Sequence, residues 1–248
     1  EALFAIHSSI STGQIWSNFN VLKNINIKKN NKKSTRTYSE YESKKILQKY
    51  GLKIPKSILT NRKNAIENSK KIGFPIVIKV NSKKIIHKTE VKGVYINIDS
   101  ENKVKKSIER LSKLGSKFLV EEMIKDKVAE IILGLKIDAQ FGPVIIIGSG
   151  GIYTELFKDS VSLLLPLSKT KVVNAINNLK ISKILNGYRG GSKGDIESLV
   201  KTILKFAKFA EKNASKLLEV DINPLIIRPK GKGVIAADAL IHYLKDIN

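Results

Sequence analysis

The chain contains no cysteine. That excludes disulfides, thiolate nucleophiles and thiolate-bound metals, and it fits a reducing compartment, so a cytoplasmic location is expected. Long hydrophobic runs are missing as well. The longest, residues 144–148 and 163–167, fall far short of the roughly 20 residues that cross a bilayer, and no secretory signal pattern is seen. No membrane partner is expected. Arginine is scarce: only Arg36, Arg62, Arg110, Arg189 and Arg228 stand among the 45 basic residues. This scarcity bears on the formal net charge of +23, which at first sight points to nucleic acid. Base readout and bidentate phosphate contact favour arginine over lysine. The lysines are also spread along the whole chain, without a helix-turn-helix, zinc-finger or aromatic stacking pattern. No nucleic-acid partner is expected, and an AT-rich genome explains a Lys-, Asn- and Ile-rich composition more simply. Acidic residues are absent from His7 to Thr37.

That acid-free stretch sets the organisation. Residues 1–22 are mixed apolar and read as the tail of a preceding domain or an irregular segment. Residues 23–37 are polar and basic with no helical stripe, and read as a linker; a transit segment is the alternative. The first residue is Glu, which suggests a fragment or a processed chain. The folded domain is expected over residues 38–248, long enough for one large domain. Ser39 is a candidate N-cap, with Glu40 and Glu42 in the first helical turn and Gly51 as the stop. Tyr41, Ile46, Leu47 and Tyr50 supply an apolar stripe. Downstream, helices are expected over 61–72, 104–114, 169–179 and 195–213. Strands are expected over 54–59, 76–80, 93–98, 117–123, 128–136, 144–147, 152–157, 162–165, 217–221, 225–228 and 234–238. Helices and tight hairpins alternate, which argues for an α+β fold with antiparallel sheets. A first lobe is expected over about 60–125 and a second over about 126–248.

The run Pro75-Ile76-Val77-Ile78-Lys79-Val80 reads as a strand buried on both faces. A lysine inside it needs an anion, because an unpaired buried ammonium is very costly. Beyond the strand come His87, Lys88 and Gly93. The functional reading is a cationic nest for phosphate with an imidazole able to attack phosphorus. The bland reading is a snorkelling lysine and a surface histidine.

A second constellation lies near the C-terminus. Asp221 and Asn223 are two apart and share one strand face. Residues 229–233, Pro-Lys-Gly-Lys-Gly, read as a hairpin turn. If Arg228 pairs with Gly233, Asn223 falls opposite Asp238, and three oxygen-bearing side chains converge. Such a set suits Mg²⁺, completed by water and phosphate, whereas a one-residue slip would break it. The alternative is a polar cap around Pro224. Gly148-Ser149-Gly150-Gly151 follows a buried strand and could hold phosphate oxygens on backbone N–H groups, or simply make a tight hairpin. Glu121, Glu122 and Met123 end another strand, placed either for a nucleotide's amine and ribose hydroxyls or as a solvated strand end. Glu130 and Glu155 are possible further ligands or partners for the lysines. The loop Gly187-Tyr188-Arg189-Gly190-Gly191 is either a plain turn or an arginine clamp for phosphate or carboxylate.

Taken together, several ordered blocks resemble the ATP-grasp domain of ADP-forming acyl-CoA synthetases, the acetate–CoA ligases related to the succinyl-CoA synthetase β subunit. The carriers are Ser39-Glu40-Tyr41-Glu42-Ser43-Lys44, Gly73-Phe74-Pro75-Ile76-Val77-Ile78-Lys79, Ile85-Ile86-His87-Lys88-Thr89, Gln140-Phe141-Gly142-Pro143-Val144, residues 148–152, Gly187-Tyr188-Arg189-Gly190 and Asp221-Ile222-Asn223-Pro224. The resemblance implies two α+β lobes clasping ATP or ADP. It implies that Lys79 touches the nucleotide phosphates and that Glu121, Glu122 and Met123 line the adenine hinge, with Gly150 and Gly151 also at the nucleotide and Glu130 there or beside the metal. It places Mg²⁺ at Asn223 and Asp238, with Asp221 close, and makes His87 a phosphate carrier in acyl-CoA + ADP + phosphate ⇌ acid + CoA + ATP. An imidazole suits that role, since its unperturbed pKa near ~6.5 leaves it neutral at pH 7.

The CoA-binding part is not in this chain. A CoA-binding α subunit or fused N-terminal domains are therefore the expected partner, handling acyl-CoA and phosphate in a hetero-oligomer or a fused homo-oligomer. The alternatives are another ATP-grasp carboxylate ligase, or a non-catalytic nucleotide- or nucleic-acid-binding protein.

Overall fold

The structure is a computed structural model that describes residues 35–85, 88–138, 140–151 and 159–244. The basic linker ends sooner than expected, because strand β1 (Arg36–Thr37) pairs with His242 and Tyr243 near the end of the described chain. Helix α1 (Glu40–Lys49) then starts at Ser39 in a capping box: the Ser39 N–H donates to Glu42 Oε2 at 2.8 Å, and the Glu42 N–H donates back to the Ser39 hydroxyl.

The first sheet is built from β2 (Ser57–Thr60), helix α2 (Ala65–Ile72), β3 (Ile76–Val80), β4 (Val94–Ile98), helix α3 (Glu101–Leu111) and β5 (Phe118–Glu122). Its strand order is β2-β5-β3-β4, and every neighbouring pair is antiparallel. Helices α2 and α3 cover one face. Ile76, Ile78 and Val80 pack there with Val104, Ile108, Leu111, Phe118 and Val120. By the two-residue period of a strand, Val77 and Lys79 lie on the other face. The strand is buried on both faces as expected, with Lys79 only 6% exposed. One face meets helices, and the other carries the lysine into a cleft.

The second sheet has seven strands: β1, β6 (Ala129–Asp138), β7 (Gly142–Ser149), β8 (Ser160–Leu164), β9 (Leu217–Ile227), β10 (Val234–Ala236) and β11 (Leu240–Tyr243). All its pairs are antiparallel, in the order β1-β11-β9-β6-β7-β8, with β10 also on β9. Two expected strands, 217–221 and 225–228, form one long strand. The last expected strand stops at Ala236, and β11 was not foreseen. Helices α4 (Lys169–Asn178), α5 (Ser182–Leu185) and α6 (Ile196–Asn213) accompany this sheet. Leu199, Ile203, Phe206 and Phe209 of α6 share a core with Ile131, Leu133, Ile145, Val220 and Ile222. Ile46 and Leu47 of α1 join that same core, so the first helix packs with the second sheet although it precedes the first in sequence. At about 25 cal/mol per Å² of apolar area, this burial is what orders α6, the longest of the described helices.

Residues 123–128 link the sheets. The link is clamped by Arg228, whose Nε and Nη2 donate to the two carboxylate oxygens of Asp126 at 2.8 and 2.9 Å. The strand expected over 152–157, with Glu155, lies outside the described residues, as do residues 1–22 and His87.

Candidate functional site

β9 anchors the side of the site that carries Asp221 and Asn223. β10 pairs with it as Ile227–Val234, Ile226–Ile235 and Leu225–Ala236, and β11 resumes with Asp221–Leu240, all in one register. Arg228 N–H donates to Gly233 O at 3.2 Å and Ala237 N–H to Pro224 O at 3.0 Å. Between the two paired stretches, Asn223 and Asp238 face the same recess, of about 170 Å³, together with Asp221, Lys88 and Thr89. Among the described residues, no three His, Cys, Asp or Glu side chains gather as a metal site. What the recess does offer is two carboxylates and a carboxamide, hard oxygen donors of the kind Mg²⁺ takes alongside water and phosphate.

The recess adjoins a larger cleft of about 440 Å³ between the two sheets. Val77, Val94, Ile96 and Met123 form an apolar wall, with Ile226 from the second sheet. Ile96 is 58% exposed, an apolar surface left uncovered within the cleft lining. Lys79, Glu121 and Asp238 also line it, as do Glu122, Glu130 and Asn223. A hollow of similar size, about 450 Å³, lies apart from these groups at the start of α6. There the Asp195 carboxylate accepts from the N–H groups of Ser198, Gly231 and Gly233.

Behind the cleft lies a buried ionic cluster. Lys79 Nζ is 2.6 Å from Glu40 Oε1, 3.0 Å from Glu121 Oε2 and 4.0 Å from Asp238 Oδ2, and it donates to Ala237 O at 2.8 Å. Lys44 Nζ donates to Glu40 Oε1 at 2.7 Å, to Ala237 O at 3.1 Å and to Glu121 Oε1. Lys88 Nζ lies 2.9 Å from Glu40 Oε2 and 3.3 Å from Asp238 Oδ2. Three ammoniums thus face three carboxylates, drawn from α1, β3, β5, the loop after β3 and the β10–β11 connection. Gly93 holds that loop in place: its N–H donates to Lys88 O at 2.6 Å, and a Cβ there would sit 3.0 Å from the same oxygen.

Desolvation alone would neutralise these groups, but the pairing opposes it. Burial works against the charge on Glu40, yet Lys44, Lys79 and Lys88 hold its carboxyl far below the usual range. Burial likewise works against Lys79, but Glu121, Glu40 and Asp238 hold it well above its ordinary value. Lys88 is raised in the same way by Glu40 and Asp238 against its burial. Asp238 is pushed up, first by desolvation and then by the Glu40 charge, against the pull of Lys79 and Lys88. Its side chain keeps 26% of its accessibility, so it is the cluster's outlet to the cleft.

The structure therefore brings together Lys79, Glu121, Asp221, Asn223 and Asp238. Glu121 is taken up by the lysines, while Glu122 accepts from the Lys56 N–H at 2.9 Å and Met123 donates its N–H to Pro75 O. Glu130 pairs with Lys127 at 2.7 Å on the cleft wall. Gly150 and Gly151 do not join the cleft lining. The Gly150 N–H is spent on Glu130 O at 2.8 Å and the Ser149 N–H on Asp159 O at 2.9 Å. Lys88 belonged to the expected cationic nest, but Glu40 and Lys44 were not singled out as site residues from sequence. A signal existed: positions 40, 43, 44 and 47 share one helical face, so Glu40, Ser43 and Lys44 fall on the core side of α1.

Two lobes of antiparallel sheet closing on a charged cleft define an ATP-grasp protein. The ATP-grasp domain family matches residues 29–242, and the chain belongs to that family. More particularly, it is homologous to the β subunits of ADP-forming acyl-CoA synthetases. It is 34% identical over 212 residues to the β subunit of acetate–CoA ligase (ADP-forming) II of Pyrococcus furiosus, covering 82% of this chain and 89% of that subunit. It is 35% identical over 212 residues to 4-hydroxybutyrate–CoA ligase (ADP-forming) of Nitrosopumilus maritimus, where 82% of this chain spans 30% of that enzyme. Among solved structures, PH1788 of Pyrococcus horikoshii superposes with a TM-score of 0.78 at 33% identity, over 84% of this chain and 92% of that one. A Ca. Korarchaeum cryptofilum acetyl-coenzyme A synthetase superposes with a TM-score of 0.72 at 33% identity, over 83% of this chain and 92% of that one. That protein was solved with coenzyme A and Mg-AMPPCP, its phosphohistidine segment pointing towards the nucleotide-binding site.

Proposed function

We propose that this chain is the nucleotide-handling part of an ADP-forming acyl-CoA synthetase, moving a phosphoryl group between ADP and a histidine relay. One observation carries this reading: an apolar-walled cleft runs into Lys79 and Lys88, with the oxygen donors Asp221, Asn223 and Asp238 beside them. Val77, Val94, Ile96, Met123 and Ile226 would take the flat base. The ammoniums of Lys79 and Lys88 would meet the phosphates and hold the charge that builds up as phosphoryl passes. Asp221, Asn223 and Asp238 would hold Mg²⁺, which when bound neutralises phosphate oxygens.

His87, one peptide bond from Lys88, is the proposed carrier. In the ATP-forming direction, with the other ring nitrogen protonated from solvent beforehand, its N–P bond breaks as a β-phosphate oxygen of ADP forms the new P–O bond, and the imidazole leaves neutral, keeping that proton. Acyl-CoA cleavage belongs to a CoA-binding α subunit or to fused domains, consistent with the 30% share of the longer relative that this chain spans. No described helix is long and apolar enough to cross a membrane. We place the assembly in the cytoplasm, where a chain without cysteine is at no disadvantage.

ADP titration in the presence of Mg²⁺ tests the site. Lys79→Met removes a charge-assisted contact and should weaken ADP binding about 10- to 100-fold. Unchanged affinity in that variant would overturn the phosphate assignment.

A further inference from the structure

We infer that Glu40 is a positioning residue, one that holds Lys79 and Lys88 at the inner end of the cleft; its functional meaning rests on the nucleotide reading above. Among the described residues Glu40 is the one carboxylate in contact with all three buried ammoniums, at 2.7 Å from Lys44, 2.6 Å from Lys79 and 2.9 Å from Lys88. Glu121 reaches Lys44 and Lys79, and Asp238 reaches Lys79 and Lys88. Glu40 lines neither the cleft nor the recess, and its side chain is 1% accessible. It can therefore act on a bound anion only through the lysines. It is well placed to do so: the capping box at Ser39 and Glu42 fixes the first turn of α1, and Ile46 and Leu47 anchor the helix in the core of the second sheet. Lys79 comes from the first sheet and Lys88 from the loop after it, so Glu40 aligns cations of one lobe from the framework of the other.

Its two oxygens do different things. Oε1 accepts from both Lys44 and Lys79. Oε2 lies 2.9 Å from Lys88 Nζ. Lys88 Nζ also donates to the Asp238 carboxylate, at 3.4 Å from Oδ1 and 3.3 Å from Oδ2, at the wall of the recess. That geometry suits a cation that turns towards an anion entering the recess while Glu40 keeps Lys79 fixed. Removing Glu40 leaves three ammoniums facing two carboxylates, and both cleft-facing lysines lose their anchor.

The test is residue-resolved acylation of lysines by an amine-reactive ester, read by mass spectrometry on the full chain with and without ADP. Glu40→Gln should raise labelling of Lys79 and Lys88 about tenfold, the equivalent of one lost charge-assisted hydrogen bond, while Lys44, fully buried and lining neither the cleft nor the recess, stays shielded from the reagent. Glu40→Asp should restore part of the protection. The paired variant Glu40→Gln/Lys44→Met keeps the cluster neutral and serves if the single variant does not fold; it should show the same rise at Lys79 and Lys88. Wild-type labelling at both lysines in a folded variant would overturn the inference, because a merely structural carboxylate would change stability without freeing those two amines. ADP should protect both lysines in the wild type. A rise in Glu40→Gln without protection by ADP would uphold the positioning role and instead overturn the nucleotide reading.

Discussion

Lys44→Met gives the sharpest test of the buried cluster's energetics. Lys44 is fully buried and bonds to Glu40, Glu121 and Ala237 O. Methionine keeps most of the volume and removes the charge together with its three hydrogen bonds. Breaking a buried pair by deleting one partner costs about 3–5 kcal/mol, because the other charge is left uncompensated. Here Glu40 and Glu121 both retain Lys79, at 2.6 and 3.0 Å, so the low end applies, about 3 kcal/mol. For a chain of this size that lowers Tm by roughly 6–12 °C. The assay is thermal unfolding by circular dichroism, with a urea titration to confirm an unchanged slope. Adding Glu121→Gln removes the matching negative charge, and the double variant should recover about half of the loss or more. A cost under about 1 kcal/mol, typical of an exposed pair, would refute the claim that the cluster is desolvated. A double variant as unstable as the sum of the singles would refute the claim that the two residues act as a pair.

Two further expectations concern the framework. Gly150→Ala would place a Cβ 2.9 Å from Glu130 C and 3.0 Å from Glu130 O and Ile131 N, all backbone atoms that can yield only by parting β6 from the turn after β7. A loss of about 2–4 kcal/mol in urea unfolding is expected from overpacking and the strained Gly150–Glu130 hydrogen bond. Asp195 should shape the acid limb of stability. Burial opposes its charge, but hydrogen bonds from the N–H groups of Ser198, Gly233 and Gly231 outweigh it and hold the carboxyl below its ordinary value. With the folded pKa depressed, its contribution is complete above the unfolded value of about 3.9 and is lost as pH falls through the folded value. The stability gap between wild type and Asp195→Asn should therefore be constant near neutrality and narrow in acid; a gap independent of pH would contradict this.

Much of the fold could be read from local signals. Ser39 with Glu42 three residues on, Gly51 after the helix, and the Pro-Lys-Gly-Lys-Gly turn each act within a few residues, and the hairpin register followed from the turn. What escaped depends on partners distant in sequence. Leu240–Tyr243 carries four residues and no turn signal of its own, and becomes a strand because β9 extends beyond β10 to receive it. Glu40 and Lys44 look like an ordinary i,i+4 surface pair. Partners distant in sequence, Glu121, Lys79, Lys88 and Ala237 O, make that pair a buried one. The Gly148–Gly151 turn shows the limit from the other side, since glycines allow both a phosphate nest and a close approach, and Glu130 O decides for the approach at Gly150. The convergence of Lys79, Asp221, Asn223 and Asp238 on one cleft and its adjoining recess was legible, because an ammonium in an apolar strand and polar side chains on a hairpin face each need a counterpart.

The central claim is that His87 carries phosphate for a nucleotide held in this cleft. Its most direct test incubates the full chain with Mg²⁺ and ATP radiolabelled in the γ-phosphate, and maps the label by mass spectrometry. Acid-labile, base-stable label on His87 is predicted, absent in His87→Ala although that variant still binds ADP. Label confined to another residue, or none in a chain that binds Mg·ATP, would contradict the account.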